Sequence, residues 1–229
     1  MFDSYTKLLL HFENNVNDIA TGKIVTNNNV TFDNTDPKFN SYGIFNGTTS
    51  YLSIPASDDF YFGTDNFTID FWIKFSDLTT WSFGDIIHQY NESDTDYWHI
   101  GFEGIEPGLS KLTLTFAYAS VGSIYISYFK NFSFIVNTWY HICFERIGTT
   151  AKLFINGISQ TLTESAAFGT QDVGNVDGNL ATGDNIHSNY FKGNLDELRI
   201  SKGIVRWTEN FTPPTKPYGR SSLPTFYRS

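Results

Sequence analysis

Asp196 is the side chain in this sequence that most needs a chemical partner. It lies in Leu195-Asp196-Glu197-Leu198-Arg199-Ile200, whose alternation predicts a strand with Asp196, Leu198 and Ile200 on one face and Leu195, Glu197 and Arg199 on the other. A carboxylate that shares a face with two core-type residues is too costly to keep ionised and alone. It requires a bound cation, an arginine or backbone N–H groups, and an Asp clipped into a neighbouring turn is the plainer structural alternative. A second group has the chemistry of sugar recognition. Trp81, Tyr90, Tyr97, Trp98 and His99 cluster around the loop Asn91-Glu92-Ser93-Asp94. Aromatic rings stack on the C–H faces of a sugar while amides and carboxylates bond its hydroxyls. At alternating strand positions the same rings would simply pack a core.

The elements that must position these residues read as strands. The chain has 229 residues, 22 of them Phe, 13 Tyr and 5 Trp, enough for one sizeable core and a composition that favours sheet. In the run from Phe67 to Phe75 the odd positions form an apolar face, and the opposite face carries Thr68, Asp70, Trp72 and Lys74, so Trp72 needs a loop or tail to cover it. Residues 83–89, 97–102, 112–118 and 124–129 are further strand candidates. Asn156-Gly157 is the strongest hairpin signal, because both residues accept the positive φ of a tight primed turn. Residues 42–45 and 51–54 are expected to pair as a hairpin around Asn46-Gly47, with an irregular excursion over 14–40 and the longest irregular connection over 163–189. Helix is limited to one short turn each at 56–60 and 201–206. The lone Cys143 cannot form an intrachain disulfide and reads as a buried thiol.

Charge and motif content exclude several functions. A net charge of -9, from 24 acidic against 15 basic residues, opposes a sequence-independent grip on nucleic acid, and Arg199, Lys202 and Arg206 read as a solvated edge. The start shows no secretory signal pattern, and no apolar run is long enough for a membrane-spanning helix. The two-carboxylate strand pattern of a glycoside hydrolase is absent, as are a nucleophile triad and a phosphate-cradling glycine loop, so the chain is expected not to be an enzyme.

Motif order gives a more specific expectation. Lys7-Leu8-Leu9-Leu10-His11-Phe12-Glu13, Tyr51-Leu52-Ser53-Ile54-Pro55, Phe67-Thr68-Ile69-Asp70-Phe71-Trp72, Trp139-Tyr140-His141, the Asn156-Gly157 hairpin and Leu195-Asp196-Glu197-Leu198-Arg199-Ile200 follow one another. From about residue 5 to about 218, the chain closely resembles the laminin-G-like domains of the concanavalin A-like lectin/glucanase superfamily. The resemblance implies an all-β fold, a two-sheet antiparallel β-sandwich of jelly-roll type, over residues 1–218, with an extended tail at 219–229. It also implies a structural calcium shared by Glu13 and Asp196, although relatives commonly carry Asp at the first place. The ending Ser201-Lys202-Gly203-Ile204 with Phe211-Thr212-Pro213-Pro214 resembles phage and other viral structural proteins. On that basis the expected function is a virion-surface protein, a capsid decoration or tail-fibre component. Its expected partners are capsid or tail proteins or copies of itself, together with a host-surface glycan, and Leu223, Phe226 and Tyr227 are the candidate anchors of its tail. The alternative is a carbohydrate-binding lectin module with no tie to a virion.

Overall fold

The computed structural model describes residues 3–79, 83–93, 95–106, 109–119, 123–183 and 189–219. In chain order its strands begin with β1 (Thr6–Leu10), β2 (Thr26–Asn28), β3 (Thr31–Asp33), β4 (Tyr42–Asn46), β5 (Tyr51–Ile54), β6 (Phe67–Phe75), β7 (Phe83–Tyr90) and β8 (Asp96–Glu106). They continue with β9 (Leu109–Tyr118), β10 (Ile124–Phe132), β11 (Trp139–Ile147), β12 (Thr150–Ile155), β13 (Ile158–Gln160), β14 (Thr163–Ala166), β15 (Leu180–Thr182) and β16 (Lys192–Lys202). The first sheet runs β13-β12-β11-β6-β16-β4-β3, with β1 also on β16, and the second runs β14-β10-β9-β8-β7-β15-β5-β2. All strand pairs are antiparallel, so the expected two-sheet sandwich is the observed fold.

Alternation builds the core between the sheets. Ile69, Phe71, Ile73, Ile142, Phe144, Leu198 and Ile200 of the first sheet are buried with Trp98, Ile100, Phe102, Leu112, Leu114 and Phe116 of the second. Asn156 and Gly157 take φ values of 51° and 74° and close the β12–β13 hairpin, as their sequence predicts. Gly157 has a second reason to be glycine, because an added Cβ would lie 1.9 Å from the carbonyl oxygen of Phe211. Cys143 is a free, buried thiol in β11.

Three local expectations are overturned. β4 and β5 do not pair with each other: β4 joins β16 and β3 in one sheet and β5 joins β15 and β2 in the other, so the Asn46-Gly47 turn crosses between layers. The Asn46 side chain organises that corner by accepting the N–H groups of Thr48, Thr49 and Ser50. The connection over 163–189 is not wholly irregular, since β14 and β15 lie within it. Residues 201–206 form no helical turn. The Glu145 carboxylate instead accepts the N–H groups of Arg206 and Trp207 at 2.8 and 3.0 Å, holding this stretch against the sheet. The short helical turn expected within 56–60 does form, as a 3-10 turn at Asp58–Phe60.

The face assigned to Asp196 also changes. Strand β16 pairs with β1 through Leu198–Ser201 and with β4 through Lys192–Leu195, so these two strands meet end to end along the edge opposite β6. At the gap between them Glu197 adopts φ 53°, and the register on β6 jumps from Asp196 opposite Trp72 to Arg199 opposite Asp70. One extra residue reverses parity. Leu195, Leu198 and Ile200 point into the core, while Asp196 shares the outer face with Arg199.

Candidate functional site

The outer face of the second sheet carries an open cleft of about 320 Å³. Its shape follows from the alternation of β8, β9 and β10, whose inward residues are large and apolar while the outward ones include Gly101, Thr113, Thr115 and Ser127. Cross-strand register aligns these in rows. His99, Thr115 and Ser127 lie side by side, as do Asp85, Gly101, Thr113 and Phe129. Gly101 leaves the floor low beside Asp85, whose Oδ1 an added Cβ would approach at 3.0 Å. Asp85 Oδ1 lies 2.8 Å from His99 Nδ1, Thr115 and Ser127 hydroxyls are 3.3 Å apart, and Lys111 pairs with Glu103 at 2.5 Å. Tyr125, 54% exposed, and Phe129 supply aromatic surface on the β10 side.

The sequence-selected aromatics divide between the two faces. His99 lines the cleft. Tyr97 is half-buried on the same outer face, stacked on Tyr90 at 4.9 Å and 27°, with His99 edge-on to Tyr97 at 5.9 Å. Ala117 separates Tyr97 from Tyr125 in the same cross-strand row and leaves a small-residue gap between two rings. Trp98 points the other way. It is a core residue whose indole N–H donates to Gln89, because strand parity that turns Tyr97 and His99 outward must turn Trp98 inward. Trp81 falls outside the described residues, as do the tail candidates Leu223, Phe226 and Tyr227. Asp85, Gly101, Thr113, Thr115 and Ser127 were missed by looking for aromatic clusters. Their signal was the run of small or polar residues at every second position of β8, β9 and β10.

Asp196 and Glu13 come together at the gap between β1 and β4. Asp196 is fully buried, and its Oδ2 accepts the N–H of Phe39 at 3.2 Å while Oδ1 has no hydrogen-bond partner. Burial, then the neighbouring Glu197 and Glu13 charges, push its carboxyl up to about 8 against the opposing pull of the Phe39 N–H. Glu13 accepts the Asn40 amide at 2.7 Å. Glu197 is already engaged by His11 at 2.5 Å and by the Tyr218 N–H at 2.7 Å. Among the described residues no group of three or more His, Cys, Asp or Glu could hold a metal ion. The unpartnered Asp196 oxygen and the nearby Glu13 nevertheless fit a hard cation whose remaining ligands are backbone carbonyls and water.

The outer face of the first sheet is closed. Trp72 is covered, as its position required, by Phe39 edge-on at 6.2 Å and by the Lys38 ammonium 3.6 Å from its ring. Residues 204–218 cover the rest. Trp207 and Phe211 stack at 4.1 Å, and both meet the His141 ring edge-on. Asp70, fully buried, takes a bidentate pair from Arg199 at 2.9 and 3.0 Å and a hydrogen bond from the Tyr218 hydroxyl, which also contacts His141 Nε2 at 3.0 Å. Burial would raise the Asp70 carboxyl, but Arg199 and His141 outweigh it and hold it at about 2. Arg199 is therefore part of a covered network and not of a solvated edge. Arg206 pairs with Asp3.

A laminin-G family profile, described as the concanavalin A-like lectin/glucanases superfamily, matches residues 46–209. The chain belongs to this superfamily. Among solved structures, this superfamily member is similar to domain 4 of AbnA, a GH43 extracellular arabinanase from Geobacillus stearothermophilus solved with arabinotriose. The TM-score is 0.63 at 18% identity, covering 86% of this chain and 92% of that one. It is also similar to the binding domain of botulinum neurotoxin serotype D, with a TM-score of 0.62 at 19% identity over 88% of this chain and 48% of that one. The binding domain of botulinum neurotoxin DC in complex with SialylT matches with a TM-score of 0.61 at 14% identity over 88% and 49%. The chain thus spans about half the length of the toxin binding domains it matches. No curated protein matches it by sequence. The expectation of a virion, capsid-decoration or tail-fibre component conflicts with the similarity to toxin binding domains and is withdrawn, and these matches tie the fold to neither a virion surface nor capsid or tail partners. Among the described residues, no helix is long and apolar enough to cross a membrane.

Proposed function

We propose that this superfamily member is a non-enzymatic carbohydrate-binding module and that glycan lies in the cleft on the outer face of the second sheet. The reading is the lectin alternative raised by the sequence. One observation carries it: Asp85, His99, Thr113, Thr115 and Ser127 converge on an open cleft with exposed Tyr125 and half-buried Phe129 beside them. That is the combination of directed polar groups and ring faces on which sugar recognition depends. The arabinotriose and SialylT complexes of the similar domains support the class of ligand. Thr113→Trp would fill the cleft from a half-buried, outward-facing position on β9. The expected result on an immobilised glycan panel is binding by the parent chain and at least tenfold weaker binding by Thr113→Trp at unchanged melting temperature. Retention of all glycan binding by a folded Thr113→Trp chain would remove the cleft from the proposal.

We propose in addition that Asp196 and Glu13 hold a structural calcium, supported by the buried Asp196 oxygen that has no protein partner. The cation would neutralise charge at the point where β1 and β4 abut on β16. Its binding would release the Asp196 proton at neutral pH. Calorimetry on chelator-treated protein tests this, with calcium expected to bind in preference to zinc and to raise the melting temperature.

A further inference from the structure

Resting on the carbohydrate reading of the cleft, we infer that its ligand is a linear glycan of at least three linked sugar units lying along β10, with its outer units on Tyr125 and Phe129 and a unit between them on Ser127. Among the described lining residues, both outward-facing phenyl rings stand on this one strand. Tyr125, Ser127 and Phe129 alternate with the inward residues Ile126 and Tyr128, so the outer surface of β10 reads ring, hydroxyl, ring. Four residues at about 3.4 Å each put the two ring-bearing positions roughly 14 Å apart. One sugar ring stacked on Tyr125 leaves Phe129 out of reach, and linked units are needed to use both.

Hydroxyl groups flank β10 on both sides. Towards β9, Thr115 lies opposite Ser127 with the two hydroxyls 3.3 Å apart, and Thr113 lies opposite Phe129. Towards β14, the register passes from Ala166 opposite Ser127 to Glu164 opposite Tyr128, which leaves Ser165 as an extra residue. A bulge of this kind re-aims a side chain. Ser165 is exposed and lines the cleft. Each hydroxyl both donates and accepts, so Thr113, Thr115, Ser127 and Ser165 match the hydroxyl groups of a sugar chain on either flank.

The direction across the sheet offers less. The cross-strand neighbours of Phe129 are Thr113 and then Gly101, neither of which carries a ring. Tyr97, which faces Tyr125 across Ala117, stands outside the cleft lining. At the far end of the β10 track, Lys111 pairs with Glu103 at 2.5 Å and lies 5.8 Å from the Phe129 ring centre, so that ring is bordered by an ion pair.

The test titrates the full chain, Thr113→Trp, Tyr125→Ala and Phe129→Ala with arabino-, xylo- and cello-oligosaccharides of one to six units. In the series that binds, affinity is expected to rise at least tenfold from the disaccharide to the tetrasaccharide, and Tyr125→Ala and Phe129→Ala are each expected to abolish that rise. A rise that survives in both variants would overturn the course along β10 and leave the carbohydrate cleft standing. Affinity that is equal for one unit and for six, and is lost in Thr113→Trp, would do the same. No binding to any member of the ladder, or binding that Thr113→Trp leaves intact, would overturn the cleft reading and this inference together. Tyr125 is exposed, so its truncation separates lost recognition from failed folding.

Discussion

The two outer faces of the sandwich use polar residues in opposite ways. On the first sheet Asp70, Arg199, His141 and Glu145 are directed at one another or at residues 204–218, which lie over them and withdraw them from water. On the second sheet Asp85, His99, Thr113 and Ser127 border an open cleft. The difference shows why charge in a strand is a poor guide to function. Buried ions that satisfy one another constrain the fold, whereas polar groups beside small residues leave space that a ligand can fill.

The largest break in that comparison comes from Asp70→Ala. It leaves the Arg199 guanidinium in a covered site without its bidentate carboxylate, and loss of one partner of a buried pair costs about 3–5 kcal/mol. Urea denaturation should show a loss of that size, with glycan binding retained in the fraction that remains folded. Asp70 also sets an acid limit. Its folded pKa is lowered from 3.8 to about 2, so its contribution is present above about pH 4 and is lost as the pH falls towards 2.

Asp196 has the opposite sign. Its folded pKa is raised from 3.8 to about 8, so the cation-free protein holds a proton there that the unfolded chain gives up, and stability is lost as pH rises from about 4 and is fully gone by about 8. Melting temperature measured after chelation should therefore fall across this window, and Asp196→Asn should flatten the fall. Calcium should restore more stability at pH 8 than at pH 6, because the carboxyl is already ionised. An unchanged pH profile in saturating calcium would reject the proposed metal while leaving the proton linkage to be read from the Asn variant.

A smaller effect belongs to the segment that closes the first face. Tyr218→Phe removes the hydroxyl that joins Asp70 to His141 and leaves the ring over Arg199, which lies 3.9 Å from the ring centre. An unmet buried hydrogen bond costs about 1–3 kcal/mol. Amide exchange should quicken first in residues 204–219, with little change in β8 to β10.

How much of this was legible depended on whether local pattern or distant contact decided the outcome. The sandwich and its core followed from alternation in β6, β11 and the strands of the second sheet, because a period of two survives any ordering of strands. The face of Asp196 did not. A bulge at Glu197 reverses parity, and it arises because β1 and β4 share one edge of β16, a fact of topology that no window of sequence contains. The Asn46-Gly47 corner misled for the same reason, since a turn sequence does not say whether its flanking strands return to one sheet or pass to the other. At the cleft, the sequence grouped Tyr97, Trp98 and His99 in one cluster although strand parity turns Trp98 to the opposite face, and a search for aromatic clusters overlooked the small residues that make the space.

The smallest expected change in stability is the most telling about the open face. Tyr125 makes up part of the cleft wall and is 54% exposed, and Ala117 separates it from Tyr97 in the cross-strand row. Tyr125→Ala removes surface that the core does not use, and exposed substitutions of this kind usually fall within about 0.5 kcal/mol of the parent. If Tyr125 stacks on a sugar, the same change should weaken glycan binding by tenfold or more in a direct titration. The pair of measurements separates the two faces: Asp70→Ala should cost stability ahead of recognition, and Tyr125→Ala recognition ahead of stability. A Tyr125→Ala chain as unstable as Asp70→Ala would mean that the second face, too, is held together by its outward residues, and the contrast between a closed structural face and an open binding face would no longer hold.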